Sequence, residues 1–142
     1  MIGGTGTGKS TFVKKLEREL NIPTVSADEI QKRNKTLTDL EVDKTTLEKY
    51  MKYLKSDSSF ILDGKCLKSD ERKRLIADAK KSDFDVVGYD FGCGTVVSFL
   101  RRLVQPGRFS RKYWEEVYDY DRRTYESPEL DEGFEKIVFP PK

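Results

Sequence analysis

The sequence contains no histidine, and this absence narrows the chemistry that the chain can perform. A histidine general base, a Ser-His-Asp triad and histidine metal ligands are excluded, so proton transfer must use a carboxylate, lysine, tyrosine or cysteine. Cysteine is scarce as well. Cys66 and Cys93 are too few for a zinc set or a disulfide framework, and we expect both to be packing residues in a reducing compartment.

Long apolar runs are also missing from the sequence. No run approaches the length that a bilayer span requires, and there is no basic-then-apolar leader, so we expect a cytoplasmic protein without a membrane partner. The 142 residues suffice for one domain, and we expect a single domain over residues 1–142. The formal net charge of +2 is too balanced to indicate nucleic-acid binding by itself.

What the sequence does contain is a complete phosphate-binding pattern, G-x-x-x-x-G-K-[ST]. It comprises Gly3, Gly4, Thr5, Gly6, Thr7, Gly8, Lys9 and Ser10, and is followed by Thr11. The glycines allow a tight loop whose N–H groups face phosphate oxygens, and the next helix directs its positive end at the same anion. Lys9 is placed to reach the β- and γ-phosphates, and the Ser10 hydroxyl to bind Mg²⁺. The pattern therefore predicts binding of ATP, or another nucleoside triphosphate, together with Mg²⁺.

The strand that should lead into this loop is short in the sequence. Such a strand is a run of about five apolar residues and is usually central in the sheet, but only Met1 and Ile2 precede Gly3. We therefore expect the first strand to be truncated or missing. A start upstream of Met1, a trimmed chain and a minimal fold that tolerates a short strand are all compatible with this pattern.

The rest of the chain shows strands alternating with helices. Strands are expected at 24–26, 60–62, 86–89 and 137–139, and helices at 11–20, 47–55, 69–80, 95–103 and 110–125. The polar stretch 29–43 is expected to begin as a helix and continue as a loop. This alternation predicts an α/β fold in which helices cover both faces of a parallel sheet. The first three of these strands end near Asp28, Asp63 and Asp90, at the sheet edge where ligands bind. We expect Asp90 to be structural.

The chain resembles the phage-type polynucleotide 5′-kinase family, which belongs to the P-loop kinases related to zeta-toxin-like phosphotransferases. The resemblance spans essentially the whole chain and rests on the phosphate loop, Ser26-Ala27-Asp28, Ile61-Leu62-Asp63, Leu100-Arg101-Arg102, Pro106-Gly107-Arg108 and the terminal segment 127–137. It implies a P-loop kinase-like three-layer fold with an Arg-bearing helical lid. It also implies transfer of the ATP γ-phosphate to the 5′-hydroxyl of a DNA or RNA end, a nucleic acid repair reaction in the cytoplasm of a bacterial host.

The resemblance implies roles for residues at the strand ends. Asp28 stands where the family's general base accepts the proton of the 5′-hydroxyl; alternatively, it caps the following helix. Asp63 stands where a carboxylate orients Mg²⁺; alternatively, it only ends a strand before a turn. Where the family often carries an arginine three residues after the first aspartate, this chain has Gln31, with Arg33 nearby. Gln31 and Arg33 are therefore the candidates for holding an acceptor phosphate.

A basic cluster follows the third predicted strand and comprises Arg101, Arg102, Arg108, Arg111 and Lys112. Arginines on a lid can close over the triphosphate and stabilise the charge that develops in transfer. Arg108 is the first candidate for this role and Arg102 the second, while Arg111 is a candidate for binding an oligonucleotide. A solvated helix face is the alternative. Aromatic residues interleave with this cluster, and Tyr113, Trp114 and Val117 lie at helical core spacing, so packing is expected of most of these aromatic residues more than stacking on bases.

Two other functions are compatible with the sequence. The same chemistry could act on a nucleotide, a nucleoside, a modified base in DNA or another small molecule. The absent first strand also suggests a non-catalytic nucleotide-binding module.

Overall fold

The computed structural model describes residues 1–104 and 109–140. Its helices are α1 (Lys9–Leu20), α2 (Ala27–Arg33), α3 (Asp39–Leu54), α4 (Ser69–Lys81), α5 (Val96–Val104) and α6 (Arg111–Thr124). Its strands are β1 (Thr24–Ser26), β2 (Ile61–Asp63), β3 (Val87–Tyr89) and β4 (Lys136–Val138), and a 3-10 turn covers Leu130–Glu132. This mixed α/β arrangement with parallel strands confirms the predicted fold class. Among the described helices, none is both long and apolar enough to cross a membrane.

The sheet consists of two parallel pairs joined by the first residues of the chain. β1 pairs with β2, and β3 pairs with β4. Between the pairs, the Met1 nitrogen donates to the Leu62 carbonyl at 2.7 Å, and Ile2 N–H donates to the Tyr89 carbonyl at 2.8 Å. The strand order is therefore β1, β2, residues 1–3, β3, β4. The segment holds the central position that we expected for the first strand, but among the described residues it forms a single isolated bridge, from Ile2 to Asp90, and no full strand.

An apolar cavity of about 320 Å³ adjoins this central segment. Its walls include Phe60 and Ile61 at the start of β2, and Val86 and Val87 at the start of β3. The amino ends of these two strands are therefore separated, while their carboxyl ends are joined through residues 1–3. The well-connected edge of the sheet is the edge that carries the phosphate loop.

The helix α3 begins earlier than predicted, at Asp39, so the expected loop through residue 43 was wrong. Thr38 and Glu41 form a capping box: the Thr38 N–H donates to the Glu41 carboxylate at 2.7 Å, and Glu41 N–H donates to the Thr38 hydroxyl at 3.3 Å. The bonds from Thr38 hold the pKa of the Glu41 carboxyl below its usual range. The Thr-x-x-Glu pattern is a helix-start signal, and it outweighs the polar composition of this stretch.

The hydrophobic core packs α3 and α4 against the first strand pair. Its buried members are Val25, Tyr50, Leu54 and Ala79. The Phe60 ring adds to this core by stacking on Tyr53, with ring centroids 5.4 Å apart. Because Ser26 is level with Asp63 in the parallel register, the core holds the ends of β1 and β2 at the same edge.

Buried polar contacts attach the C-terminal segment to this frame. The Arg72 guanidinium donates to both Glu132 oxygens, at 2.7 and 2.6 Å, and both side chains are 2% exposed. Removing one partner of such a pair costs roughly 3–5 kcal/mol. The Tyr125 hydroxyl donates to Asp90 at 2.6 Å. Burial and this bond raise the pKa of the Tyr125 phenol. Asp90 has the structural role that we expected.

Candidate active site

The phosphate loop is divided into two halves by its hydrogen bonds. The N–H groups of Gly3, Gly4 and Thr5 donate within the protein, to Lys65 O, Gly92 O and Asp121 Oδ2 at 2.9, 2.9 and 2.7 Å. In contrast, the N–H groups of residues 6–10 donate to no acceptor in the described part of the chain. Five consecutive unpaired amides at a helix start form a cradle for an anion. The fit to phosphate therefore lies in the second half of the loop.

Close packing requires glycine at one position in each half of the loop. A Cβ atom on Gly4 would lie 2.2 Å from the Cys93 carbonyl oxygen, and one on Gly6 would lie 2.4 Å from that of Ser98. Segment 92–98 thus presses directly on the loop backbone. At the other end of the loop, Gly8 caps α1 without a side-chain bond, and the first turn of α1 contains no acidic residue. The positive end of α1 is therefore left to a ligand.

The Lys9 amine is held over the loop by hydrogen bonds to backbone carbonyls of the loop. It donates to the carbonyls of Gly3 and Gly4 at 2.7 and 2.6 Å. Burial lowers the pKa of Lys9, while the carboxylates of Asp63, Asp121 and Asp28 act in the opposite direction. A bound phosphate would supply the negative charge that this buried ammonium favours.

A cavity of about 450 Å³ lies against the second half of the loop. It is lined by residues 5–11 together with Ala27, Asp28, Asp63, Gly64, Lys65, Arg101 and Arg102. The structure thus brings four predicted groups together: the loop, Asp28, Asp63 and Arg102. Its mixed polar and apolar walls and its size suit a phosphate chain and the end of an acceptor.

The predicted metal ligands Ser10 and Asp63 both line this cavity. In the described residues, no cluster of three or more Asp, Glu, Cys or His side chains could hold a metal ion alone. This donor set fits Mg²⁺, which is commonly bound through one or two carboxylates plus substrate phosphates. Burial raises the pKa of the Asp63 carboxyl, whereas nearby Lys9 lowers it. A divalent cation would stabilise the ionised form in the same way as the lysine.

Asp28 lies in the first turn of α2 with an exposed side chain. The cap of this helix is Ser26, whose hydroxyl accepts a hydrogen bond from the Glu29 N–H at 3.4 Å. The alternative that Asp28 is the helix cap was therefore wrong. Its carboxylate lines the cavity and lies close enough to Lys9 to influence that amine electrostatically.

Arg102 reaches the cavity from α5 and is braced by α6. Its guanidinium carbon lies 4.4 Å from the centroid of the Trp114 ring, which is a cation–π contact. Trp114 is half-buried, and Tyr113, although 40% exposed, stacks on Phe109 with ring centroids 4.3 Å apart and contacts the Trp114 ring at 5.0 Å, so both rings take part in packing. Arg108, the first lid candidate, lies outside the described residues.

Three predicted substrate-binding residues do not line this cavity. The Gln31 amide donates to the Leu37 carbonyl at 3.2 Å, and Arg111 forms an exposed ion pair with Glu115 at 2.8 Å. Arg33 borders a smaller neighbouring cavity of about 90 Å³, whose lining includes Ser10 and Asp63. Their substrate roles remain predictions.

Sequence reasoning missed two residues at the site, Lys65 and Asp121, whereas Arg101 belongs to the predicted basic cluster and lines the cavity. Lys65 has a detectable signal, because it follows Asp63-Gly64 at the carboxyl end of a strand. Asp121 has none, since it lies within a charged helix. Its side chain is 1% exposed and contacts both Lys65 and the loop.

An open amide cradle at a helix start, its lysine and strand-end carboxylates together define a P-loop nucleotide-binding domain of the kinase type. The chain belongs to the AAA domain family, whose profile matches residues 1–94, from the phosphate loop to the turn after β3. A search of curated proteins returned no match. The family supports a phosphotransferase in general and does not single out the polynucleotide kinases.

Proposed function

We propose that this chain transfers the γ-phosphate of ATP to the 5′-hydroxyl of a DNA or RNA end. The observation that carries the proposal is the shared cavity, in which free loop amides and Lys9 face an exposed carboxylate at Asp28. Phosphoryl transfer requires little covalent chemistry from the protein beyond positioning, charge stabilisation and a proton acceptor. Each of these requirements has a candidate group in the cavity.

The phosphate chain is held by the N–H groups of residues 6–10 and by the Lys9 ammonium. Mg²⁺, held by the Ser10 hydroxyl, Asp63 and phosphate oxygens, would neutralise charge on the phosphates. The acceptor oxygen forms a bond to the γ-phosphorus as the bond to the β-phosphate oxygen breaks. ADP leaves, and Asp28 accepts the hydroxyl proton. Arg102 stabilises the charge on the transferring group.

A polynucleotide acceptor is supported by basic residues beside the smaller cavity. Lys14, Arg33 and Lys49 border it together with Glu17, Glu29 and Asp63, and it shares Ser10 and Asp63 with the phosphate cavity. The Lys49 amine donates to the Thr24 carbonyl at 2.8 Å. The lining as a whole is balanced in charge, but its cations offer contacts to backbone phosphates, which are the main source of nucleic-acid affinity.

The test is a transfer assay with labelled ATP and Mg²⁺. A 5′-hydroxyl oligonucleotide, a 5′-phosphorylated copy of it and a panel of nucleosides are offered as acceptors. We expect label only on the 5′-hydroxyl oligonucleotide. Its KM should rise several-fold between low and physiological salt, because the logarithm of the binding constant falls with the logarithm of the salt concentration at a slope of about −0.7 per phosphate contact. Faster labelling of a free nucleoside would favour the small-molecule kinase, and no labelling of any acceptor would favour the binding module.

A further inference from the structure

Lys65 occupies a position in the cavity that the predicted mechanism does not use. It follows Asp63-Gly64 at the end of β2, and its side chain is 43% exposed while lining the phosphate cavity. Its carbonyl accepts a hydrogen bond from Gly3 N–H at 2.9 Å, which fastens its backbone to the base of the loop. The lysine is therefore an exposed cation on a fixed backbone, beside the amides that face the phosphates.

The direction of this lysine is set by Asp121. The Lys65 amine lies 2.7 Å from Asp121 Oδ1, while Asp121 Oδ2 accepts from the Thr5 N–H, also at 2.7 Å. One buried carboxylate thus holds both the lysine and the first half of the loop. An ammonium has three donors, and the bond to Asp121 uses one of them. Lys65 can keep this bond and still donate to a phosphate oxygen.

We infer that Lys65 is a second phosphate-binding cation of this site and that Asp121 is the positioning residue that orients it. Lys9 binds the phosphates from the loop, and Lys65 binds them from the end of β2. Because Asp121 belongs to α6, this contact also links the phosphates to the helix that braces Arg102 through Trp114. The inference rests on the proposed phosphate site, but its test needs neither an acceptor nor a transfer step.

The experiment measures the Kd of MgATP by titration calorimetry for Lys65→Met and for the matched control Lys68→Met. Lys68 is an exposed lysine three positions further along, outside both polar cavities, so its substitution makes the same charge change. We expect Lys65→Met to weaken MgATP binding about tenfold relative to the control, because it removes a charge-assisted hydrogen bond. A Kd within twofold of the control would overturn the inference.

The double variant Lys65→Met/Asp121→Asn separates ligand binding from structural pairing. If Lys65 served only to neutralise Asp121, removing both charges would restore the control Kd, and that recovery would also overturn the inference. We expect the double variant to bind as weakly as Lys65→Met.

Asp121→Asn alone tests the positioning role. It should weaken binding several-fold when Lys65 is present and add little in the Lys65→Met background, because the two changes act through one contact. An equal loss in both backgrounds would show a structural role for Asp121 that is independent of Lys65. If MgATP binds normally to all variants and the oligonucleotide is still phosphorylated, this inference alone fails and the proposed function stands.

Discussion

The two halves of the phosphate loop differ in what satisfies their backbone. In residues 3–5 each N–H group donates to the protein, whereas in residues 6–10 none donates to the described part of the chain. The first N–H groups of a helix have no intrahelical partner, and here they belong to residues that line the phosphate cavity, so the unpaired set is available to a ligand. The first half is paired within the protein, and we propose that the second half is the binding surface, although one sequence pattern covers both.

The largest loss of transfer activity is expected at Lys9, whose amine joins the two halves of the loop. Lys9→Ala should lower the transfer rate by about 10²- to 10³-fold, because it removes the cation over the phosphates. The circular dichroism spectrum should remain that of the unchanged protein, since the Lys9 amine makes its hydrogen bonds within the described residues to loop atoms alone. A variant that kept half of the original rate would show that the loop is not the phosphate site.

A smaller loss of activity is expected when Asp28, the proposed proton acceptor, is substituted. Asp28→Asn should lower kcat by about 10²-fold and leave the KM for ATP nearly unchanged, because the carboxylate acts on the acceptor and not on the nucleotide. Steady-state kinetics with a 5′-hydroxyl oligonucleotide measure both constants. Asp57 provides the control, because it is an exposed aspartate outside both polar cavities and Asp57→Asn makes the same charge change. Equal losses in both variants would contradict a specific role for Asp28.

Two glycine substitutions sharpen the comparison between the halves. Gly4→Ala should lower stability by about 1–3 kcal/mol or more, because the new Cβ would meet the Cys93 carbonyl. Gly8→Ala meets no atom within 4 Å, but Gly8 has a φ of +99°, so about 1–2 kcal/mol of backbone strain is expected. Thermal melts should show the larger loss of stability for Gly4→Ala, and MgATP titrations should show the larger loss of affinity for Gly8→Ala, because the strained residue carries one of the unpaired loop amides. The reverse order would contradict the division.

The smallest expected effect concerns Asp63 and pH. Because burial raises the pKa of this carboxyl in the folded protein, the folded state favours its protonated form. Its contribution to stability is therefore present at acidic pH and is lost as the pH rises through the folded-state pKa. In the absence of Mg²⁺, the Asp63→Asn variant should not lose this stability as the pH rises. It should be at least as stable as the original protein at neutral pH. Measuring Tm as a function of pH for both proteins tests the direction of this pH dependence.

Much of the fold could be predicted from the sequence, since strands and helices with clear apolar periodicity lie where expected. The start of α3 could have been predicted as well, had the capping box at Thr38 been given more weight than the polar composition around it. The position of residues 1–3 could not be predicted. It depends on hydrogen bonds to two strands, β2 and β3, that are distant in the sequence.

The site was predictable only where a local motif defines it. The phosphate pattern and the strand-end carboxylates lead to Lys9, Asp28 and Asp63. Asp121 reaches the loop across 116 residues of sequence, and no local spacing indicates such a contact. The division of the loop could not be predicted either, because the hydrogen-bond partners of residues 3–5 are distant in the sequence: Lys65, Gly92 and Asp121.

Amide hydrogen exchange with and without MgATP tests the division of the loop most directly. The amides of residues 3–5 should be protected in both conditions, because the protein itself pairs them. The amides of residues 6–10 should exchange rapidly in the free protein and become protected when MgATP binds. Unchanged exchange at residues 6–10 in the presence of saturating MgATP would contradict the assignment of this half of the loop to phosphate binding.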